Sequence, residues 1–118
     1  MYKIIFYKDK NGKSDLRDYI EELANRKDKD SQIKLRKISE YISLLKQSGT
    51  YIGEPYVKHL KDEIWELRPL KDRILFAALT KNGFILLHQF KKKTQKTPPA
   101  EIKTAINRLL DFNNRNEE

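Results

Sequence analysis

Ile64-Trp65-Glu66-Leu67-Arg68, Arg73-Ile74-Leu75-Phe76-Ala77-Ala78-Leu79-Thr80 and Phe84-Ile85-Leu86-Leu87-His88-Gln89-Phe90-Lys91-Lys92 are three β-branched and aromatic runs separated only by turn signals. Between them stand Pro69-Leu70-Lys71-Asp72 and the dipeptide Asn82-Gly83, the second being the strongest short hairpin signal a sequence offers. A three-strand antiparallel meander is expected. A two-residue turn at Asn82-Gly83 places Arg73 opposite Lys92, Leu75 opposite Phe90 and Ala77 opposite His88. A four-residue turn over 69–72 places Arg68 opposite Arg73 and Glu66 opposite Leu75. Because side chains alternate across a sheet, Trp65, Leu67, Ile74, Phe76, Ala78, Ile85 and Leu87 then share an apolar face. Arg68, Arg73 and Lys92 form a row on the other face, with Glu66, His88, Leu75 and Phe90 beside them. Two features strain this register: Gln89 falls on the apolar face, and a three-residue turn taking in Lys81 flips the last strand and removes His88 from the cationic side.

Residues 2–7 form a short apolar and aromatic run that stops at Asp9-Lys10-Asn11-Gly12, so one strand is expected there. Ser14 is placed to cap a helix in which Leu16, Tyr19, Ile20 and Leu23 recur at helical spacing, and 25–30 is a charged break. A second helix carries Leu35, Ile38, Ile42 and Leu45 as its stripe and ends near Ser48-Gly49. This αα-hairpin is expected to cover one face of the sheet. Residues 49–62 lack a sustained period and read as a connecting loop. Thr97 reads as the N-cap of a last helix, with Pro98 in its first turn and Ile102, Ala105, Ile106 and Leu109 as its buried stripe. The tail, 113–118, is polar and expected to fray. The fold class is α+β: an N-terminal strand, a two-helix hairpin, the meander and a C-terminal helix.

At 118 residues the chain is expected to be a single domain spanning 1–118, burying roughly 65% of its extended surface. A formal net charge of +8 points to nucleic acid, the ribosome or an acidic partner. With no cysteine there is neither a disulfide framework nor a thiolate site. Only His59 and His88 are available as imidazole ligands, so no metal and no other cofactor is expected. The N-terminal run is too short for a signal peptide, and no apolar run approaches the ~18 residues of a membrane span. A soluble cytoplasmic protein is expected.

The last strand runs directly into Lys91-Lys92-Lys93-Thr94-Gln95-Lys96 with no acid among them. A lysine run is ordinarily a solvated face or a blunted sheet edge. Like charges opposed across a sheet repel, however, and nothing in the fold requires Arg68, Arg73 and Lys92 to lie in one row. An anion-binding site accounts for them.

At these residues the chain resembles the HigB-like, phage-associated branch of the RelE/ParE toxin superfamily. The stretches that carry the resemblance are Trp65-Glu66-Leu67-Arg68, Arg73-Ile74-Leu75-Phe76, and Leu86-Leu87-His88-Gln89-Phe90-Lys91-Lys92-Lys93-Thr94 followed by 98–105. The order of elements matches as well, so the resemblance covers nearly the whole chain. It implies a RelE-like fold and a type II toxin, a ribosome-dependent endoribonuclease that cuts mRNA and is neutralised by a cognate antitoxin. That partner is expected to be HigA-like, with a helix-turn-helix, or a small acidic protein. Arg68, Arg73 and the basic end of the last strand around 91–93 match the family's active-surface positions. The histidine and acid cluster that other branches carry after the last strand is not evident, which leaves the base unnamed.

RNA supplies its own nucleophile, the 2′-hydroxyl, so a metal-free nuclease needs a base for that proton, cations for the developing phosphorane charge and an acid for the 5′-oxygen. Arg68 and Arg73 suit the electrostatic part, because a guanidinium stays charged and forks onto phosphate oxygens. Lys92 completes their row. His88 is a candidate base, yet a lone histidine between Leu87 and Phe90 is more often a packed core residue. Lys91, Lys93 and Lys96 are assigned to the RNA backbone. Tyr56 and Phe90 are placed to stack on a base or to pack in the core. Two other readings use the same scaffold: a ParE-like inhibitor that binds a DNA topoisomerase without chemistry, and a plain RNA- or DNA-binding domain.

Overall fold

Ser14 and Asp28 start two helices in the computed structural model, which describes residues 1–116. The Ser14 hydroxyl accepts from the Arg17 N–H at 3.2 Å and opens α1 (Asp15–Asn25). The Asp28 carboxylate accepts from the Ser31 N–H at 2.9 Å and opens α2 (Lys29–Ser48). Each cap satisfies a helical N–H that has no partner within its helix. Gly49 ends α2 at φ +62°, and the Tyr2 ring lies 3.0 Å from where a Cβ would stand. Both conditions select glycine.

β1 (Lys3–Phe6), β2 (Val57–Lys61), β3 (Ile64–Leu67), β4 (Asp72–Leu79) and β5 (Gly83–Lys91) form one sheet in the order β1-β5-β4-β3-β2, followed by α3 (Pro99–Asn116). β1 runs parallel to β5, and every other pair is antiparallel. At Gly83 a Cβ would stand 2.7 Å from the Lys3 carbonyl oxygen, so this close approach of β1 excludes a side chain.

The meander has four strands where three are expected, because 49–62 holds a short 3-10 turn (Gly49–Ile52) and β2 in place of a loop. β2 is an edge strand in which only Val57 is fully buried, while Lys58, His59 and Lys61 are exposed. An edge that faces water lacks the apolar alternation by which a strand is recognised.

The β3–β4 register is the expected one, with Glu66 opposite Leu75. That of β4–β5 is not: Arg73 faces Phe90, Leu75 faces His88 and Ala77 faces Ile85. Two local causes produce the shift. The turn is Thr80-Lys81-Asn82, closed by the pair Leu79 and Gly83, with Asn82 in the left-handed region at φ +64° that asparagine tolerates. A bulge then leaves Leu87 without a partner on β4. The long turn flips β5 to the other face and the bulge flips it back, so His88 and Phe90 keep the face expected of them. Ile85 and Leu87 do not. Phe84 and Leu86 instead join Leu67, Ile74 and Phe76 under α1 and α2, where Leu16, Leu23, Ile38 and Leu45 meet them.

Ile85 and Leu87 pack on the opposite face with Ile64, Leu75 and Ala77 beneath Ala105 and Leu109 of α3. Helices thus cover both faces. Gln89 sits on the α1–α2 face because its amide donates to Asp72 at 3.0 Å, and the Tyr19 hydroxyl donates to the same carboxylate oxygen at 2.9 Å. Burial, followed by that carboxylate, pushes the Tyr19 phenol well above its ordinary range.

α3 opens one residue later than expected. The Pro98 carbonyl accepts from the N–H groups of Glu101 and Ile102, and the Thr97 hydroxyl turns away to another partner. The helix continues through 116, so 113–116 are helical, and the remaining two residues of that stretch lie outside the described residues. No described helix is long and apolar enough to cross a membrane.

Candidate functional site

Glu66 projects from the middle of β3 onto the face where α3 begins, and it organises the site. Its carboxylate is only 2% exposed, with Oε1 3.4 Å from Arg68 Nε and 3.9 Å from Arg73 Nε. Oε2 accepts from the Thr97 hydroxyl at 2.5 Å. A buried carboxylate between two guanidiniums supplies the counter-charge that the cations around it need. The same acid ties the loop before α3 to the sheet.

Arg73 is the second residue of β4 and is itself buried. Its Nη1 donates to the carbonyls of Leu70 and Asp72, each at 2.8 Å, while Nη2 makes no hydrogen bond among the described residues. Burial pulls its pKa down and Glu66 opposes that fall. The guanidinium is therefore fixed on one side and free to fork onto an anion on the other.

Five of the expected residues come together. Arg73, Lys91, Lys92, Lys93 and Lys96 line a cleft of about 260 Å³ together with Glu66, Phe90 and Glu101. Lys92 has moved two positions along from Arg73, its N–H donating to the Lys71 carbonyl at 2.7 Å, because of the shifted register. The row opposite Arg73 is completed by Phe90. Arg68 stands on the other side of Glu66 and lines a wider groove of about 670 Å³ with Lys58, Lys61 and Lys96. Glu66 belongs to both depressions, so cations from three strands and the loop 92–98 surround one carboxylate.

His88 lies behind this surface and does not line the cleft. Its ring stacks on Phe90 with centroids 5.8 Å apart, and its Nε2 is 2.6 Å from Glu101 Oε1. Tyr56, half-buried, packs edge-on against Tyr41 at 5.2 Å. Among the described residues no three His, Asp or Glu groups are placed to share a metal ion.

Sequence reasoning set Glu66 beside the cationic row without giving it a role, and gave Thr97 and Glu101 no part in the site. For Glu66 a signal existed, since an acid that alternates onto the face of two arginines has no apolar reason to be there. Thr97 and Glu101 gave none, because their position depends on how α3 docks over β5. In comparisons with known proteins, the profile of the family described as phage derived protein Gp49-like (DUF891) matches residues 21–110. No curated protein matches the chain. A match to that family is consistent with a toxin-like protein.

Proposed function

The chain belongs to the phage-derived, Gp49-like family, and from that premise we propose that it is a HigB-like type II toxin, a ribosome-dependent mRNA endoribonuclease. The observation that carries the reading is the convergence of Arg73 with Lys91, Lys92, Lys93 and Lys96 on one cleft, away from the apolar layer under α1 and α2. Substrate and nucleophile come together in RNA: the 2′-oxygen attacks the adjacent phosphorus, the 5′-oxygen departs, and a 2′,3′-cyclic phosphate remains. Arg73, held from behind by two backbone carbonyls, presents Nη2 to the phosphate oxygens, and Lys92 adds a second positive charge. Arg68 acts from the neighbouring groove. Lys91, Lys93 and Lys96 hold the flanking backbone. The ribosome positions the mRNA, which is where a site of modest intrinsic power gains most. The protein works in the cytoplasm, and a HigA-like antitoxin silences it by covering or displacing the basic surface.

In vitro translation of a defined mRNA, with and without ribosomes, followed by mapping of new 5′ ends tests this. Ribosome-dependent cuts are expected, and Arg73→Ala, checked by melting to be folded, should abolish them. Intact mRNA together with blocked DNA supercoiling would establish the topoisomerase reading instead, and binding without breakage would leave a nucleic-acid-binding domain.

A further inference from the structure

Two carboxylates reach the cleft, and their surroundings give them different work. Glu66 has both oxygens engaged and is almost wholly buried, which suits a fixed counter-ion and not a group that must exchange protons. Glu101, in the first turn of α3, is 32% exposed; its Oε1 meets His88 Nε2, and its Oε2 takes no hydrogen bond among the described residues. Lysine and arginine are donors when charged, and the Thr94 and Thr97 hydroxyls are spent on the Lys96 carbonyl and on Glu66. Glu101 Oε2 is thus a carboxylate oxygen without a hydrogen-bond partner among the described residues, on a side chain that lines the cleft with Arg73 and the lysines.

His88 is built to orient that group. A proton on Nε2 satisfies the contact with Oε1, while Nδ1 is buried with no hydrogen-bond partner among the described residues. A relay through the ring would need a group at Nδ1, and among the described residues none stands there. Stacking on Phe90 fixes the ring plane.

We propose that Glu101 is the catalytic base of this site and His88 its positioning residue, an assignment that rests on the ribonuclease reading above. Glu101 Oε2 takes the 2′-hydroxyl proton as the O2′–P bond forms and the P–O5′ bond breaks. The departing O5′ takes a proton from water, so the products are a 2′,3′-cyclic phosphate and a 5′-hydroxyl.

Single-turnover cleavage of ribosome-bound mRNA tests the assignment. Glu101→Gln keeps the size of the side chain and an oxygen for His88, and is expected to slow cleavage by about 10²-fold or more at unchanged melting temperature and ribosome binding. The defect should persist on RNA with sulfur in place of the 5′-oxygen, a leaving group that needs no acid. His88→Ala should cost about tenfold through misplacement of the base. His88→Gln, which restores an amide donor, should recover most of that loss, and His88→Ala should add little to Glu101→Gln. Wild-type speed in Glu101→Gln, or disappearance of its defect on the sulfur-substituted RNA, overturns the assignment while ribonuclease activity stands. A wild-type protein that cuts no ribosome-bound mRNA overturns the ribonuclease reading and takes this assignment with it.

Discussion

Glu66 must repay the desolvation of its own charge and of most of Arg73, and it does so through two guanidinium contacts and one hydroxyl. Taking an ion out of water costs several kcal/mol, and breaking a buried pair by deleting one partner typically costs about 3–5 kcal/mol, because the other charge is stranded. Arg73 already has its pKa lowered by burial, with the nearby Glu66 charge opposing the fall. Glu66→Ala is therefore expected to destabilise the fold by about 3 kcal/mol, on the order of 10 °C in melting temperature. Glu66→Gln should fall between the two, since the amide oxygen still accepts from Thr97 but the charge is gone. Thermal and chemical denaturation measure both. A Glu66→Ala protein that melts with the wild type would mean that Arg68 and Arg73 are sufficiently hydrated to need no counter-ion.

α3 is held at its far end by a second cluster: the Tyr7 hydroxyl donates to Asp111 at 2.6 Å, and Arg115 reaches both Asp111, at 2.8 Å, and the Lys8 carbonyl. The Arg115 hydrogen bond, followed by that of Tyr7, holds the Asp111 carboxyl below its ordinary 3.8. A depressed folded-state pKa contributes stability that is complete above the unfolded value and is lost as pH falls through the folded one. The melting difference between wild type and Asp111→Asn should be flat from about pH 5 to 8 and shrink below pH 3.8, which a set of melts across pH measures. A difference that persists at pH 2 would assign the effect to packing. Anchors of this kind mark where the sequence stops being readable. Ser14, the α2 stripe and the β3–β4 register are set by neighbours a few residues apart, and all three were legible. The bulge at Leu87 leaves a carbonyl that Arg108 of α3 takes at 2.9 Å, and a contact between residues 21 apart in sequence has no local signature. The place of Glu101 against His88 follows from the same docking, so the acid of the cleft was as hidden as the bulge.

At the scale of the whole molecule, a net charge of +8 alone would let RNA adhere anywhere on the surface, and the cleft matters only if its lysines do more than add to that total. Counterion release separates the two cases. Each phosphate neutralised on a single strand contributes about −0.7 to the slope of log K against log salt, whereas a distant cation changes the long-range field without changing that count. Lys93 and Lys96 are exposed and line the cleft beside Arg73, while Lys37 on α2 is on the opposite side of the sheet and pairs with Glu40 at 3.4 Å. Lys93→Ala and Lys96→Ala should each flatten the slope by about 0.7 and weaken binding evenly across RNA sequences, and Lys37→Ala should leave the slope unchanged. Fluorescence anisotropy with a short unstructured RNA between about 50 and 200 mM salt gives all three slopes. Equal slopes in the wild type and the two cleft variants would mean that those lysines touch no phosphate; the RNA would then have to be held by Arg68 with Lys58 and Lys61 in the wider groove, and the path of the strand across the protein would run along β2 instead of along the end of β5.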